Sequence, residues 1–242
     1  MTVSPSKVES AETCPLKWAL ESSGGAGAAG PAQLVGSLVH EIAAELPAGS
    51  LAEYERALDE RWPEIGSLDT WVGRVARARA SSMVERLAGY VGDVAADDVR
   101  TEAPFRVEIG RAVLQGRADR LHVTGESAVV ADLKIGARPL SPREAETNAQ
   151  LAMYQLAASS GAFEGVATAA GAELVYVGVD AVSAAVRRQA PVDVGVAAER
   201  LASVVEEMAA SGFEARLGPQ CEYCPVRRCC PAQPEGAEVS GS

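Results

Sequence analysis

Apolar and polar residues alternate along the chain with two different periods. Apolar residues recur at helical spacing, or fit a helix, in six segments: 7–22, 33–46, 51–64, 70–92, 144–158 and 195–212. Strand-like runs occupy 101–109, 172–179 and 184–192, and Pro104 marks the first of these as an edge or irregular strand. Helical material followed by strands and interleaved helices predicts an α/β fold with a mixed central sheet flanked by helices.

A predicted hairpin lies between these segments, in Gly116–Lys134, which reads GRADRLHVTGESAVVADLK. Two apolar runs flank a Thr-Gly-Glu-Ser turn, and Gly125 in that turn is a hairpin signal. Strand alternation puts Asp132 and Lys134 on one face, about 7 Å apart along the strand. Asp119 supplies a second carboxylate from the first run. Two carboxylates and an ammonium predict a hard, oxygen-rich site suited to Mg²⁺ or Mn²⁺.

Length and composition fit one large or two modest globular domains, because 242 residues with 48% hydrophobic side chains can bury a real core. The sequence has no uninterrupted apolar run of about 18 residues, which argues against a membrane span. Its first residues, MTVSPSKVESAETC, lack the apolar core of a signal peptide. We therefore expect a cytoplasmic protein, in which the five cysteines are not paired as disulfides.

The net charge of −11 is unevenly distributed. Residues 101–145 carry seven basic and six acidic side chains, whereas both flanks carry an acidic excess. Six arginines surround the predicted hairpin site: Arg106, Arg111, Arg117, Arg120, Arg138 and Arg143. They are either solvated strand edges or contacts for a polyanion. A chain this acidic is expected to bind DNA weakly without a partner that delivers the strand.

The cysteines form a second candidate site. Cys221, Cys224 and Cys230 have the spacing C-x2-C-x5-C, with Cys229 beside the last, and Cys14 lies near the other end of the chain. Four thiolates suit zinc or an iron–sulfur cluster. The alternative is that Cys14 is only a small buried side chain and the C-terminal group binds zinc alone. A shared centre would close a loop of some 200 residues, which is of order 5 kcal/mol in the crosslink model.

These motifs, taken in order, resemble the RecB-type nuclease branch of the PD-(D/E)XK superfamily over nearly the whole chain. The resemblance is greatest to the iron–sulfur-stapled nuclease domains of AddB, of the AdnA and AdnB helicase–nucleases, and of CRISPR-associated exonucleases. The matching segments are SPSKVESAETCPLKWALE with Cys14, GSLVHE with His40, GRADR with Asp119, ADLKIG with Asp132 and Lys134, NAQLAMYQLA with Gln150 and Tyr154, and CEYCPVRRCCP at the closing cysteines.

The resemblance implies a role for each residue. Metal ligands would be His40, Asp119, Asp132 and the Leu133 carbonyl, and Lys134, Gln150 and Tyr154 would complete the catalytic set. Lys134 would orient or deprotonate water or stabilise oxyanions, and the resemblance leaves these roles open. DNA contacts are assigned to Arg117, Arg120 and Arg138. The alternation of the strand makes His122 structural or exposed, because it faces away from Asp119.

The family also implies a 4Fe-4S cluster rather than Zn²⁺, joining the two ends of the domain. Because the last cysteine of the family motif precedes a proline, Cys230 is favoured over Cys229 as the fourth ligand beside Cys14, Cys221 and Cys224. On this basis we expect a PD-(D/E)XK restriction-endonuclease-like core in one structural domain. Its expected parts are a helical region at 1–100, a nuclease core at 101–220, the cysteine motif at 221–231 and a disordered tail at 232–242.

The expected activity is Mg²⁺- or Mn²⁺-dependent phosphodiester hydrolysis, as an exonuclease on single-stranded DNA in end processing and recombinational double-strand break repair. The relatives are fused behind helicase regions, but this sequence has no G-x-x-x-x-G-K-[ST] loop. A helicase would therefore be a partner subunit or a region outside this sequence. The alternative is a catalytically silent, nuclease-like scaffold that binds DNA or a partner. The presence of Asp119, Asp132 and Lys134 favours activity.

Overall fold

The computed structural model of the chain describes residues 1–25, 30–65 and 70–236. Its centre is a six-stranded mixed sheet. The strands are β1 (Thr2–Val3), β2 (Asp98–Ile109), β3 (Ala112–Thr124), β4 (Ser127–Lys134), β5 (Thr168–Tyr176) and β6 (Ala185–Gln189). Strands β1 and β3 pair in parallel, as do β4 and β5, whereas β2–β3, β3–β4 and β5–β6 are antiparallel. The predicted α/β class with a mixed sheet flanked by helices is confirmed.

Helices cover both faces of the sheet. They are α1 (Pro5–Thr13), α2 (Pro15–Leu20), α3 (Pro31–Glu45), α4 (Leu51–Arg61), α5 (Trp71–Gly92), α6 (Pro142–Glu146), α7 (Ala149–Ser159) and α8 (Val194–Met208). One core lies between the sheet and α1, α7 and α8, and a second lies between the sheet and α3, α4 and α5. No helix in the described ranges is long and apolar enough to cross a membrane.

The helix boundaries follow from local sequence. Ser50 and Ser141 form capping boxes with Glu53 and Glu144, and Thr70 caps the start of α5. Pro5, Pro15, Pro31 and Pro142 occupy first-turn positions, where the missing N–H costs no hydrogen bond. The first predicted helix is divided in two at Cys14, whose extended backbone ends α1 and begins α2.

The predicted helix at 144–158 is also two helices, and the single-helix prediction is wrong. Asn148 breaks it, because its side chain accepts a hydrogen bond from the Leu151 N–H and so caps a new helix, α7. Three backbone oxygens at the break, those of Ala145, Glu146 and Asn148, lie 3.0–3.1 Å from the Gln189 amide nitrogen. Satisfying these buried acceptors makes the break stable.

The predicted hairpin is confirmed. Gly125 and Glu126 connect β3 to β4, and Gly125 has φ +60°, which glycine adopts readily. Strand β2 is an edge strand, as Pro104 indicates, because it pairs only with β3. The pairing of β2 with β3 is interrupted at one residue of each strand, where Glu102 lies opposite Asp119. Glu102 has a left-handed φ of +48°.

This irregularity exchanges the two faces of β3. Before it, Leu114 and Ala118 pack into the core shared with α1 and α7; beyond it, Leu121 and Val123 do so instead. Arg120 and His122 consequently turn towards α3 and α5.

Several predicted segments extend beyond the described ranges. The predicted loop at 22–33 includes 26–29, and the predicted disordered tail includes 237–242, and both of these parts lie outside the described residues. Within the tail, residues 232–236 are described, and the Gly236 N–H donates to the Gln233 carbonyl.

Candidate active site

The candidate site lies where strands β3 and β4 separate. Their last ladder pair is Arg120 with Ala131, so Asp119 and Asp132 are the first residues beyond the fork. Asp119 bridges the opening, because its Oδ2 accepts a hydrogen bond of 2.8 Å from the Leu133 N–H. Two carboxylates are thereby held at one end of the sheet by its own hydrogen bonding.

Asp132 is the most buried acid of the site, with 5% of the residue exposed. Its Oδ1 accepts hydrogen bonds from Gln150 Nε2 at 2.7 Å and from the Tyr154 hydroxyl at 3.2 Å. Lys134 Nζ lies 2.7 Å from Asp132 Oδ2 and donates to Gln150 Oε1 at 2.8 Å. The predicted pairing of Asp132 and Lys134 on one strand face is present, and α7 supplies both side chains that complete it.

Asp132 Oδ2 has no hydrogen-bond partner although it is buried. The Lys134 ammonium contacts it as an ion pair, but not in a direction that satisfies hydrogen-bond geometry. A buried carboxylate oxygen with unused acceptor capacity normally has a compensating partner. This oxygen therefore suits a cation.

His40 reaches the same site from α3. Its Nδ1 lies 3.6 Å from Asp119 Oδ2, and its side chain is 29% exposed. Burial lowers the pKa of His40, and this effect outweighs the opposing attraction of Asp132 and Glu102. The imidazole is therefore neutral at neutral pH, which is the form that coordinates metals.

The ionisable groups of the site shift one another's pKa values. Burial, followed by repulsion from Asp132, raises the pKa of Asp119 to about 7. Burial disfavours the Lys134 ammonium, but the Asp132 carboxylate holds the pKa of Lys134 above its ordinary value. Burial and the nearby carboxylates also raise the pKa of Tyr154, so its hydroxyl remains a donor. Two adjacent carboxylates and a neutral imidazole form a donor set that a hard divalent ion would stabilise.

Across residues 1–25, 30–65 and 70–236, no three His, Cys, Asp or Glu side chains converge closely enough to hold a metal ion as they stand. Asp119, Asp132 and His40 still have the right chemistry, and Asp132 Oδ2, which accepts no hydrogen bond, fits such an ion. The residues therefore fit a divalent metal in kind, with closer approach required on binding.

Glu102 is a further acid at this site that sequence reasoning missed. Glu102 lies opposite Asp119 and has a left-handed backbone conformation. Its negative charge acts to raise the pKa of both His40 and Asp119. Its carboxylate pairs with Arg117 at 3.4 Å. A non-glycine residue held at positive φ beside a cluster of acids is a recognised sign of a functional position. No sequence motif marked it, because the irregularity is not visible as a break in alternation.

The three arginines assigned to DNA have different environments. Arg117 is exposed beside Glu102, and Arg138 is exposed with its guanidinium 4.4 Å from the centre of the Tyr223 ring. Arg120 is only 1% exposed and donates to backbone oxygens of Ala43 and Pro47 beneath the sheet. The assignment of Arg120 to DNA is therefore wrong, because helices cover both faces of the sheet and the side chain is buried against α3.

The sequence predicts that His122 is either structural or exposed, and the structure shows that it is structural. It is 7% exposed, its ring centre lies 6.0 Å from that of Tyr90, and its Nε2 accepts from Arg120 Nε at 3.4 Å. Burial, and then the charge of Arg120, lowers its pKa to about 4.

Four of the five cysteines line one cavity at the meeting point of the two chain ends: Cys14, Cys221, Cys224 and Cys230. Cys229 is exposed and is not among the lining residues. All five are free thiols. The Arg216 N–H donates to Cys14 Sγ at 3.4 Å, and its guanidinium donates to the Glu12 carbonyl. The four thiols match in number the ligands of a zinc ion or a 4Fe-4S cluster, but within the described ranges no three of them converge closely enough to hold a metal ion as they stand.

With this geometry established, comparison with known proteins decides the family. The family model described as "PD-(D/E)XK nuclease superfamily" matches residues 2–231. The chain belongs to the PD-(D/E)XK nuclease superfamily. The hairpin that carries Asp119, Asp132 and Lys134 lies at the centre of the matched region.

Two solved structures are similar to the chain at low sequence identity. A protein from Eubacterium rectale named "Putative exonuclease" is 15% identical with a TM-score of 0.50, over 91% of this chain and 86% of its own. The protein SSO0001 is also 15% identical with a TM-score of 0.46, over 96% of this chain and 87% of its own. No curated protein matches the sequence.

Proposed function

We propose that the chain is a divalent-metal-dependent deoxyribonuclease of the RecB and AddB type. The supporting observation is the cluster at the β3–β4 fork, where Asp119, Asp132, Lys134, Gln150 and Tyr154 share one hydrogen-bonded network beside His40. Family membership supports phosphodiester hydrolysis as the reaction class.

The metal site would be made from Asp119, Asp132, His40 and the Leu133 carbonyl. When bound, Mg²⁺ or Mn²⁺ supplies charge neutralisation at the scissile phosphate and acidifies water. Gln150 and Tyr154 donate to Asp132 Oδ1, so they fix the orientation of that carboxylate and leave Oδ2, which makes no hydrogen bond, as the oxygen that would contact the cation.

Lys134 supplies positive charge at the same place. Its ammonium is held by Asp132 and Gln150, and the raised pKa keeps it protonated at neutral pH. In this state it is suited to stabilise negative charge that develops on the phosphate oxygens. Its pKa argues against a role as general base in this arrangement, which was one of the roles left open by the sequence.

We also propose that the cysteine cavity holds a 4Fe-4S cluster ligated by Cys14, Cys221, Cys224 and Cys230. Their common cavity and the exposed position of Cys229 support this ligand set. Visible absorbance with iron and sulfide analysis of the purified protein tests it. Loss of absorbance in Cys230→Ser but not in Cys229→Ser is expected, and a colourless protein with one zinc would refute the cluster.

The substrate would be single-stranded DNA entering by an end, in end processing or double-strand break repair. The net charge of −11 supports dependence on a helicase that delivers the strand, because unaided capture of a polyanion would be weak.

End-labelled and circular single-stranded DNA, each with Mg²⁺ or Mn²⁺, test the activity. We expect degradation of the linear substrate only, loss of cleavage in Asp132→Ala, and normal cleavage in Asp180→Ala, which changes an exposed carboxylate. If the protein with its cysteine centre intact cleaves neither substrate with either metal, the catalytically silent scaffold replaces this proposal.

A further inference from the structure

The first turn of α5 and the exposed face of its second turn, which carry Trp71 and Val75, lie outside the core that the rest of the helix builds. All buried residues of α5 lie between Ala80 and Tyr90. Its side chains follow the sheet towards the carboxyl ends of the strands: Tyr90 donates to Glu173, and Arg86 donates to the Val177 carbonyl at 3.0 Å. The N-terminal turns therefore continue past that end of the sheet, where the candidate active site lies.

Arg79 connects this projection to the site. Its guanidinium lies 3.5 Å from the carbonyl oxygen of Ile135, the residue directly after Lys134 at the end of β4. Val75 and Trp71 lie one and two turns before Arg79 at spacings of four residues, so the three side chains share one helix face. That face begins beside the catalytic strand and leads away from it.

This stripe of Trp71, Val75 and Arg79 is exposed. Trp71 is 70% exposed and Val75 is 49% exposed. Together with Val72, which is 62% exposed, these side chains form a contiguous exposed apolar patch, and such patches mark interaction sites. The other tryptophans differ, because Trp62 is buried and Trp18 is half-buried.

The charge of this segment favours a polyanion as the occupant. Residues 71–79 contain three arginines and no acidic residue, in a chain of net charge −11. Arg77 is used within the fold, where it pairs with Asp59 and lies over the Trp62 ring. Arg79 is exposed at the active-site end of the stripe. An exposed aromatic ring with arginine beside it is the arrangement that binds single-stranded nucleic acid by stacking and phosphate contact.

We propose that the stripe is a subsite for the single-stranded nucleic acid substrate, in which a base stacks on Trp71 and Arg79 contacts a phosphate. This inference rests on the proposed nuclease function. Eight residues of helix separate Trp71 from Arg79 by about 12 Å. At about 3.4 Å per stacked nucleotide, the base on Trp71 would lie about four nucleotides from the one near Arg79.

Tryptophan fluorescence in EDTA measures binding without cleavage. With a 15-nucleotide oligo(dT), we expect the tryptophan fluorescence of the wild type to be quenched. Binding by the variants is followed by the anisotropy of a labelled strand. Trp71→Phe should still bind, since phenylalanine keeps a stacking surface. Trp71→Ala should bind about 5- to 150-fold more weakly. Arg79→Ala should reduce the slope of log affinity against log salt by about one. Val182→Ala, at an exposed position elsewhere, is the matched control and should change nothing.

Cleavage kinetics separate this inference from the nuclease proposal. Trp71→Ala should raise KM for the 15-mer and leave kcat and the cleavage of a dinucleotide unchanged. Unchanged affinity and KM in Trp71→Ala would overturn the subsite even if the enzyme is active. Weaker binding of the labelled strand by Trp71→Ala in the anisotropy assay, without any cleavage by the wild type, would support the subsite and count against the nuclease. If Trp71→Ala alters only self-association in sedimentation, the stripe is a protein interface and the proposal is wrong.

Discussion

Replacing Asp119 with asparagine should stabilise the metal-free protein, and increasingly so at higher pH. Burial and repulsion from Asp132 raise the pKa of Asp119 from 3.8 to about 7. A carboxyl with a raised pKa contributes stability below its unfolded-state pKa and loses it as the pH rises through the folded-state value. The folded protein therefore becomes less stable between about pH 4 and pH 7 on account of this group.

The magnitude follows from linkage. A pKa moved from 3.8 to about 7 corresponds to about 4 kcal/mol of destabilisation when Asp119 is fully ionised, and about 2.5 kcal/mol of this develops between pH 5 and pH 8. Asparagine does not ionise, and its side-chain oxygen can still accept from the Leu133 N–H. The stability advantage of Asp119→Asn over the wild type should thus grow by about 2.5 kcal/mol over that range.

Urea unfolding in EDTA at pH 5 and pH 8 measures this difference directly. Asp180→Asn, an exposed carboxylate, is the control and should show no such growth. Saturating Mg²⁺ should remove the advantage, because it binds the wild-type site and stabilises the folded state. An equal stability difference at both pH values would refute the claim that burial and repulsion disfavour the Asp119 charge.

Three further changes test other parts of the structure. Gln150→Ala removes hydrogen bonds to both Asp132 and Lys134, so metal-dependent cleavage should fall about 10- to 100-fold while unfolding by urea changes far less. His122→Gln should reduce the loss of stability between pH 6.5 and pH 4 by up to about 3 kcal/mol in acid titrations, because the buried imidazole is neutral and its lowered pKa opposes protonation. Gly178→Ala places a methyl group against the backbone oxygen of the residue after Lys134, so a lower Tm and a lower kcat are expected together, whereas Gly212→Ala, with open space around it, should change neither.

The sequence was sufficient for the parts of the site that depend on local chain geometry. Asp132 and Lys134 share a face because strands alternate, and Gly125 closes the hairpin because it tolerates positive φ. The resemblance points to the Gln150 and Tyr154 pair, and both side chains contact Asp132. Their contacts with Asp132 were not predictable from spacing, since they depend on how α7 packs on the sheet.

The misses have one physical origin in common, which is tertiary pairing that overrides local periodicity. Arg120 is assigned to DNA because it belongs to the group of arginines around the hairpin, whereas the packing of α3 on the sheet buries it. Glu102 is overlooked because the irregularity opposite Asp119 leaves no mark in the sequence. The break before α7 depends on Gln189, a residue of a distant strand, and helical periodicity carries no sign of it.

The position of α1 has a consequence for how the chain is made. This first helix packs against α7 and α8, Glu12 pairs with Arg200, and Asn148 donates to Glu9. Its partners emerge from the ribosome more than a hundred residues later, so the amino-terminal segment must wait, unpaired, for most of the synthesis. Cys14 can meet Cys221, Cys224 and Cys230 only after the last of them is made. A centre in that cavity could thus form only after the whole domain has been translated and folded. A prematurely terminated chain that lacks the last cysteines could not form it.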